Sequence, residues 1–328
     1  MPSTLSPQKL FETLLSAVDK SGWNVIILNS KKPFKLRLYQ DDNKGFDVEF
    51  YLWNCTHGGG RARAIDEYRV QLTGTMPCIA KNAVTLVLGW HSGYEVFVGF
   101  DINRHSSQSS KSPSIQVKED VLQRAHKKAF STYSRLNGEI AVAFRPEFLV
   151  DYALSAESLH LMGSAEGDLS LLNDLDVLTD HKIEVISDKS RQKIISTIAR
   201  RYRASDFRKR VLGAYEHRCA VCGVQLDLVD AAHIIPVAAD TSTDETSNGI
   251  ALCKLHHQAY DRNLISFDEN YKIEISEAEV KRLGGKNFTR GLDEFKKFLR
   301  SAIILPSDRR DYPSIEYINE SRKVRGWE

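Results

Sequence analysis

Four residues of this chain have the types and the spacing of a closed metal site. Cys219 and Cys222 form a C-x-x-C pair, and Cys253 and His256 repeat that spacing about 30 residues later. Thiolate and imidazole are the ligands of tetrahedral structural zinc, and two such pairs fill all four positions. A filled site leaves no position for substrate, so Zn²⁺ here would hold the fold together. The alternative, a redox-active or incidental pair, lacks the strand-then-helix setting in which a redox C-x-x-C opens a helix. Between the pairs lies Asp230-Ala-Ala-His233-Ile-Ile-Pro236, a histidine in an apolar, strand-like run that ends at a proline. Taken alone, such a histidine is more often a packing or surface residue than a catalyst. Asn248 follows, then His257, directly after the last zinc candidate. His257 and Asp261 are four positions apart, so on a helix they share one face and can address one cation. Imidazole ordinarily titrates near neutrality, which suits a general base toward water.

These features occur in order over about 75 residues, from Arg201 to Ser276: C-x-x-C, A-A-H-I-I-P, S-N-G-I-A-L-C, L-H-H-Q-A-Y-D and L-I-S. In that order they resemble the HNH nucleases, the ββα-metal family, and most of all the branch found in bacterial restriction proteins of the McrA type. The resemblance implies that His233 is the general base for attack of water on a phosphodiester, that Asn248 is the central Asn, and that His257 is the last His. It implies Mg²⁺ or Mn²⁺ as the catalytic cation, held by His257 and a carboxylate, with waters and phosphate oxygens completing the shell. Asn248 would fix the loop between two strands by backbone hydrogen bonds and so orient His233. The zinc would be separate, stabilising a unit too small to build a large core. The chain departs from the family pattern at Ala232, where many relatives carry an Asp or His ligand immediately before the base. Asp230, two residues earlier on the same strand face, and Asp261 are the candidate carboxylates.

The elements that must position these groups follow from periodicity. Leu10, Phe11, Leu14, Leu15 and Val18 share a helical face, with Ser6 as N-cap and Pro7 in the first helical position. Strands are expected at 23–28, 34–39, 46–53, 68–72, 84–90, 95–101 and 139–144, and helices over 116–130 and 146–154. Several strands with few helices and no βαβ rhythm read as an α+β domain. The expected organisation is an α+β DNA-recognition domain over 1–163, an acidic linker over 164–190, and a zinc-stabilised ββα-metal (HNH) nuclease domain over 191–328. An amphipathic helix around 292–303 and a tail that wraps back onto the nuclease domain complete it.

Composition excludes several classes. With 328 residues, 42% of them apolar and 27% charged, the chain is of ordinary globular composition and long enough for two domains. No apolar run is long enough for a transmembrane helix, and the first residues do not read as a secretory signal. Five cysteines, an odd count, are no disulfide scaffold, so a reducing cytoplasm is expected. The net charge of +2 is an average over opposite blocks. Residues 164–190 carry Glu166, Asp168, Asp174, Asp176, Asp180, Glu184 and Asp188 against two lysines, whereas 191–218 carry nine Lys/Arg against Asp206 and Glu216. Arg201, Arg203, Arg208, Lys209 and Arg210 in this block are candidate phosphate contacts to double-stranded DNA, against the plainer reading of a solvated helix face. In the first domain, three glycines beside Arg61 and Arg63 could bring backbone close to a phosphate or base. Asp47, Glu49 and Glu67 are not followed by an E-x-K in register, which argues against a second nuclease core. Restriction or phage defence is the expected biology. A zinc-built DNA-binding module without cleavage, and a toxin-like DNase of low specificity, are the competing readings. Two copies would serve the two strands and one copy would nick; the sequence leaves both open.

Overall fold

In the computed structural model the chain divides into two compact units, Met1–Tyr202 and Arg203–Glu328. The structure describes residues 4–40, 45–58, 64, 66–106, 113–135, 137–161 and 170–327. Arg61 and Arg63 lie outside the described residues, as do the acidic positions Glu166 and Asp168.

The first unit contains α1 (Pro7–Lys20), β1 (Asn24–Asn29), β2 (Phe34–Tyr39), β3 (Phe46–His57), β4 (Glu67–Gln71), β5 (Val84–His91), β6 (Val96–Phe100), α2 (Ile102–His105), β7 (Ser114–Lys118), α3 (Glu119–Lys128), β8 (Phe130–Ser134), β9 (Ile140–Phe144), α4 (Leu149–Leu161) and α5 (Asp180–Glu184). Its sheet runs β1-β2-β3-β5-β6-β9-β8, with β4 paired to β3 and β7 to β4. The β3–β5 pair is parallel, with Phe50 opposite Leu86.

Period-2 alternation explains why the central strands are buried on both faces. Val48, Phe50 and Leu52 of β3, Leu86, Leu88 and Trp90 of β5, and Ile140, Val142 and Phe144 of β9 enter one core. Their neighbours Tyr51, Trp53, Cys55, Val87, Ala141 and Ala143 enter a second core on the other face, with Val121, Leu122 and Ala125 of α3. Ser6 caps α1, accepting from the Lys9 N–H at 3.3 Å, and the helix buries Leu10, Phe11, Leu14, Ala17 and Val18 in the first core.

The structure departs from the sequence expectations at two segments of the first unit, and in the second unit the helix expected around 292–303 ends at Lys297. The helix expected over 116–130 is shorter. Ile115 and Val117 alternate into the second core, so 114–118 pairs with β4 as a strand, and 130–134 pairs with β9. The acidic stretch is also more than a linker where it is described. Leu172, Leu175, Leu178, Ile183 and Ile186 are buried in the first core while the carboxylates face outward, and Lys128 pairs with Asp174 at 2.7 Å. Ile195, Ile198 and Ala199 of α6 (Lys189–Ala214) join the same core, which is why the first unit extends to Tyr202.

The second unit contains β10 (Val229–His233), β11 (Gly249–Cys253), α7 (Lys254–Asp261), β12 (Ile265–Phe267), β13 (Ile273–Ile275), α8 (Glu277–Gly284), α9 (Leu292–Lys297) and α10 (Ile315–Val324). The β10–β11 hairpin is antiparallel, with His233 opposite Gly249 and Val229 opposite Cys253. Helix α7 starts where β11 ends. Phe207 and Val211 of α6 pack onto the hairpin at Gly249, where an added Cβ would fall 2.2 Å from Val211 Cγ2. The tail folds back: Ile318 is buried, and Ser321 Oγ donates to the Ile234 carbonyl at 2.6 Å.

Two substitutions test this packing. Ile183→Ala should destabilise the first unit by about 2–5 kcal/mol in denaturant titration, whereas a solvated linker residue would cost almost nothing. Gly249→Ala should cost about 1–3 kcal/mol from overpacking, read as a lower melting temperature of the second unit.

Candidate active site

The zinc candidates converge from three local structures. Cys219 and Cys222 flank a tight turn closed by the Gly223 N–H on the Cys219 carbonyl at 2.8 Å, with Gly223 at φ +82°, a region open to glycine. The Ala220 N–H donates to the Ala251 carbonyl at 2.8 Å and ties this turn to β11. Cys253 ends β11 and caps α7, and His256 lies in the first turn of that helix. The four donor atoms all lie within 4.8 Å of one another, the only such group of three or more among the described residues. His256 Nδ1 is 3.5 Å from Cys219 Sγ and 3.2 Å from Cys253 Sγ, and Cys222 Sγ is 4.0 Å from Cys253 Sγ. Tetrahedral zinc separates its sulfur and nitrogen ligands by about 3.5–3.8 Å, so the donor set fits that ion.

The thiols also call for a cation. Burial opposes ionisation of Cys219, but His256 and nearby backbone groups bring it down to about 6. Burial and the neighbouring Cys219 push Cys222 up to about 12 and also raise Cys253. Three thiolates in one pocket require positive charge among them.

The nuclease candidates sit on the same hairpin and helix. His233 ends β10. Its ring stacks on Phe207 with centroids 3.8 Å apart and planes 12° apart, and its Nε2 lies 3.0 Å from Asp244 Oδ1. Asn248 is fully buried. Its Oδ1 accepts from the Ile235 N–H at 2.9 Å, its Nδ2 donates to the Thr243 carbonyl at 2.7 Å, and its own carbonyl accepts from the Ile234 N–H at 2.8 Å. It therefore joins both ends of the loop that follows His233. His257 and Asp261 share one face of α7, with Nε2 3.4 Å from Oδ2, and Arg325 reaches the other oxygen of Asp261 at 3.7 Å. Asp230 is engaged elsewhere. Arg208 and Lys254 hold it at 3.0 and 2.9 Å, and although burial opposes it, these two cations keep its carboxyl below the usual range. His257, Asp261 and Asp230 do not form a three-residue cluster.

The basic block is partly committed to internal contacts. Arg201 belongs to the first unit, where it donates to the Ser21 carbonyl at 2.5 Å and lies 3.7 Å from Asp151. Arg210 is held by Asp206 at 2.8 Å and donates to Thr246 Oγ1 and the Asp244 carbonyl, both at 2.6 Å. Arg203 is half-buried, and Lys209 is exposed. The sequence reading missed Phe207 and Asp244 as neighbours of His233. Phe207 looked like one apolar position in a basic helix, and Asp244 like one of several polar residues in T-S-T-D-E-T.

Elemental analysis should find one zinc per chain. Cys219→Ser or Cys253→Ser should lose it, together with cooperative unfolding of the second unit; retention of both would contradict the site.

Two family models match. One, described as HNH endonuclease, covers residues 219–268, and one described as Methylase-associated X1 covers residues 46–153. No curated protein matches the chain significantly. A solved structure titled "Modification dependent TagI restriction endonuclease" is similar at 12% identity and a TM-score of 0.28, over 84% of this chain and 80% of that one. The match over 219–268 contains the four metal donors, His233, Asn248 and His257, so this segment is an HNH endonuclease domain and the chain that carries it is a phosphodiester-hydrolysing nuclease.

Proposed function

We propose that the chain is a divalent-cation-dependent endonuclease of double-stranded DNA acting in restriction, with His233 as general base. The observation that carries this reading is the common frame of the three residues. His233 closes β10, Asn248 stands directly before its partner β11, and His257 lies on the helix that β11 runs into. His233 takes a proton from water as the water oxygen bonds to phosphorus and the bond to the 3′ oxygen breaks; that oxygen leaves and is protonated from solvent. Asn248 touches no substrate in this scheme and fixes the loop after the base. His257 and Asp261 would hold Mg²⁺ or Mn²⁺, and that cation would stabilise charge on the phosphorane-like transition state and on the leaving oxygen. Zn²⁺ in the Cys/His pocket would serve the frame alone.

The basic residues suit a polyanionic substrate. Lys209 is the exposed candidate phosphate contact and Arg203 is a half-buried one, whereas Arg201, Arg208 and Arg210 act first as internal braces. Target choice belongs to the first unit in this reading, with Arg61 and Arg63 as its candidate contacts. The Methylase-associated X1 match supports a partnership with DNA modification. Two copies on one duplex would cut both strands.

Plasmid DNA in unmodified, methylated and hydroxymethylated forms, incubated with Mg²⁺ or Mn²⁺, tests the assignment. The wild-type protein should nick or linearise at least one form, and His233→Ala should be slower by about 100- to 10,000-fold with its zinc retained. Equal rates for the two proteins would overturn the assignment of His233.

A further inference from the structure

We propose that Asp244 is a positioning residue of the nuclease centre. By accepting the Nε2–H of His233, it leaves Nδ1 as the atom that takes the proton from water. The inference rests on the reading of His233 as the base and goes beyond it by assigning the tautomer and the group that sets it.

His233 Nε2 lies 3.0 Å from Asp244 Oδ1. An ionised carboxylate only accepts, so the ring nitrogen facing it carries the proton. A neutral imidazole carries one proton, so its other nitrogen, Nδ1, presents a lone pair. That is the state a general base needs before it acts. When Nδ1 takes a proton, the imidazolium formed beside Asp244 gains the carboxylate as a counter-charge.

Orientation comes from a second, independent contact. The Phe207 ring stacks on the His233 ring with planes 12° apart. Stacking fixes the plane of the imidazole, and the hydrogen bond fixes its rotation within that plane. Phe207 reaches this position because Gly249, opposite His233 in the hairpin, has no side chain to keep the helix away.

Asp244 is itself held on both sides. Its carbonyl accepts from Arg210 at 2.6 Å. The preceding Thr243 gives its carbonyl to Asn248 Nδ2 at 2.7 Å and its hydroxyl to Tyr317 at 3.1 Å. The following Glu245 accepts from the Tyr317 hydroxyl at 2.8 Å. Helix α6, the buried Asn248 and helix α10 thus all fasten the residues around one carboxylate, although its side chain is 42% exposed. A His–Asp pair with its carboxylate in contact with solvent contributes little to stability, so this much bracing is better explained by orientation than by folding energy.

The test compares His233→Ala, Asp244→Asn and Asp244→Glu in plasmid nicking with Mg²⁺ or Mn²⁺, with zinc content and melting temperature measured on each. Asp244→Asn should keep its zinc, its melting temperature and its KM for DNA, and lose kcat by about 10²- to 10⁴-fold. Asp244→Glu should recover part of that loss. Nitrogen NMR of the labelled wild-type protein, with the His233 signals assigned by their absence in His233→Ala, should show the Nε2–H tautomer. A kcat for Asp244→Asn within about threefold of wild type, beside an inactive His233→Ala, would overturn this proposal alone. So would an Nδ1–H tautomer in the wild-type protein, a result that needs no variant to fold. His233→Ala as active as wild type would overturn the base assignment and this proposal with it.

Discussion

Four donor atoms lie within 4.8 Å of one another at the point where the hairpin of the second unit becomes a helix, and one metal ion there would hold the unit together. Two of them come from a tight turn that is hydrogen-bonded to β11, one is the last residue of β11, and one is in the first turn of α7. Closing this pocket fixes where the strand stops and which way the helix leaves. His257 is the next residue after the ligand His256, so the rotation of α7 that turns His256 inward turns His257 and Asp261 to another face together. An apolar core could hold the same elements, but it would leave the helix freer to rotate. Metal coordination is directional, so zinc in this pocket would fix the position of His257.

A second constraint places the other half of the centre. Gly249 lets α6 approach the hairpin, and the approach brings Phe207 onto His233. The same helix turns Arg210 toward the loop between the strands, where it holds the backbone around Asp244. Residues that look like a solvated basic face in the sequence therefore do two kinds of work. Arg208 and Arg210 spend their charge inside the protein, on Asp230, Asp206 and the Asp244 carbonyl, and in the proposed function the exposed Lys209 meets an anionic substrate. In the proposed function, helix α6 would set the base from one side and zinc in the Cys/His pocket would set the cation-binding face from the other.

The sequence carried much of this site because its chemistry is written at short spacing. The C-x-x-C pair, the C-x-x-H pair and the four-residue interval between His257 and Asp261 each report a local geometry that tertiary structure has little room to change. Asp244 could not be found this way. It meets His233 across a loop, and one acidic residue among Thr, Ser and Glu carries no periodic signal. The partners of Asp230 were hidden for a related reason: strand alternation gives the face of a side chain, not the cations that will reach it, and Arg208 arrives from a helix more than twenty positions away. In the first unit the strands buried on both faces were legible as apolar runs. The strand at 114–118 was not, because its five residues merge with the amphipathic pattern of the helix that follows. The acidic segment read as a linker because its carboxylates are conspicuous, while the buried Leu and Ile residues between them decide its fate.

In the proposed function this frame hydrolyses DNA by direct attack of water on phosphorus. Cleavage of the plasmid panel in isotopically labelled water, followed by mass analysis of the ends, tests it most directly. Direct attack should leave 3′-hydroxyl and 5′-phosphate termini, with one labelled oxygen on each 5′-phosphate. Termini carrying 3′-phosphate, unlabelled 5′-phosphates, or intact DNA of every modification state with folded, zinc-loaded protein would contradict it.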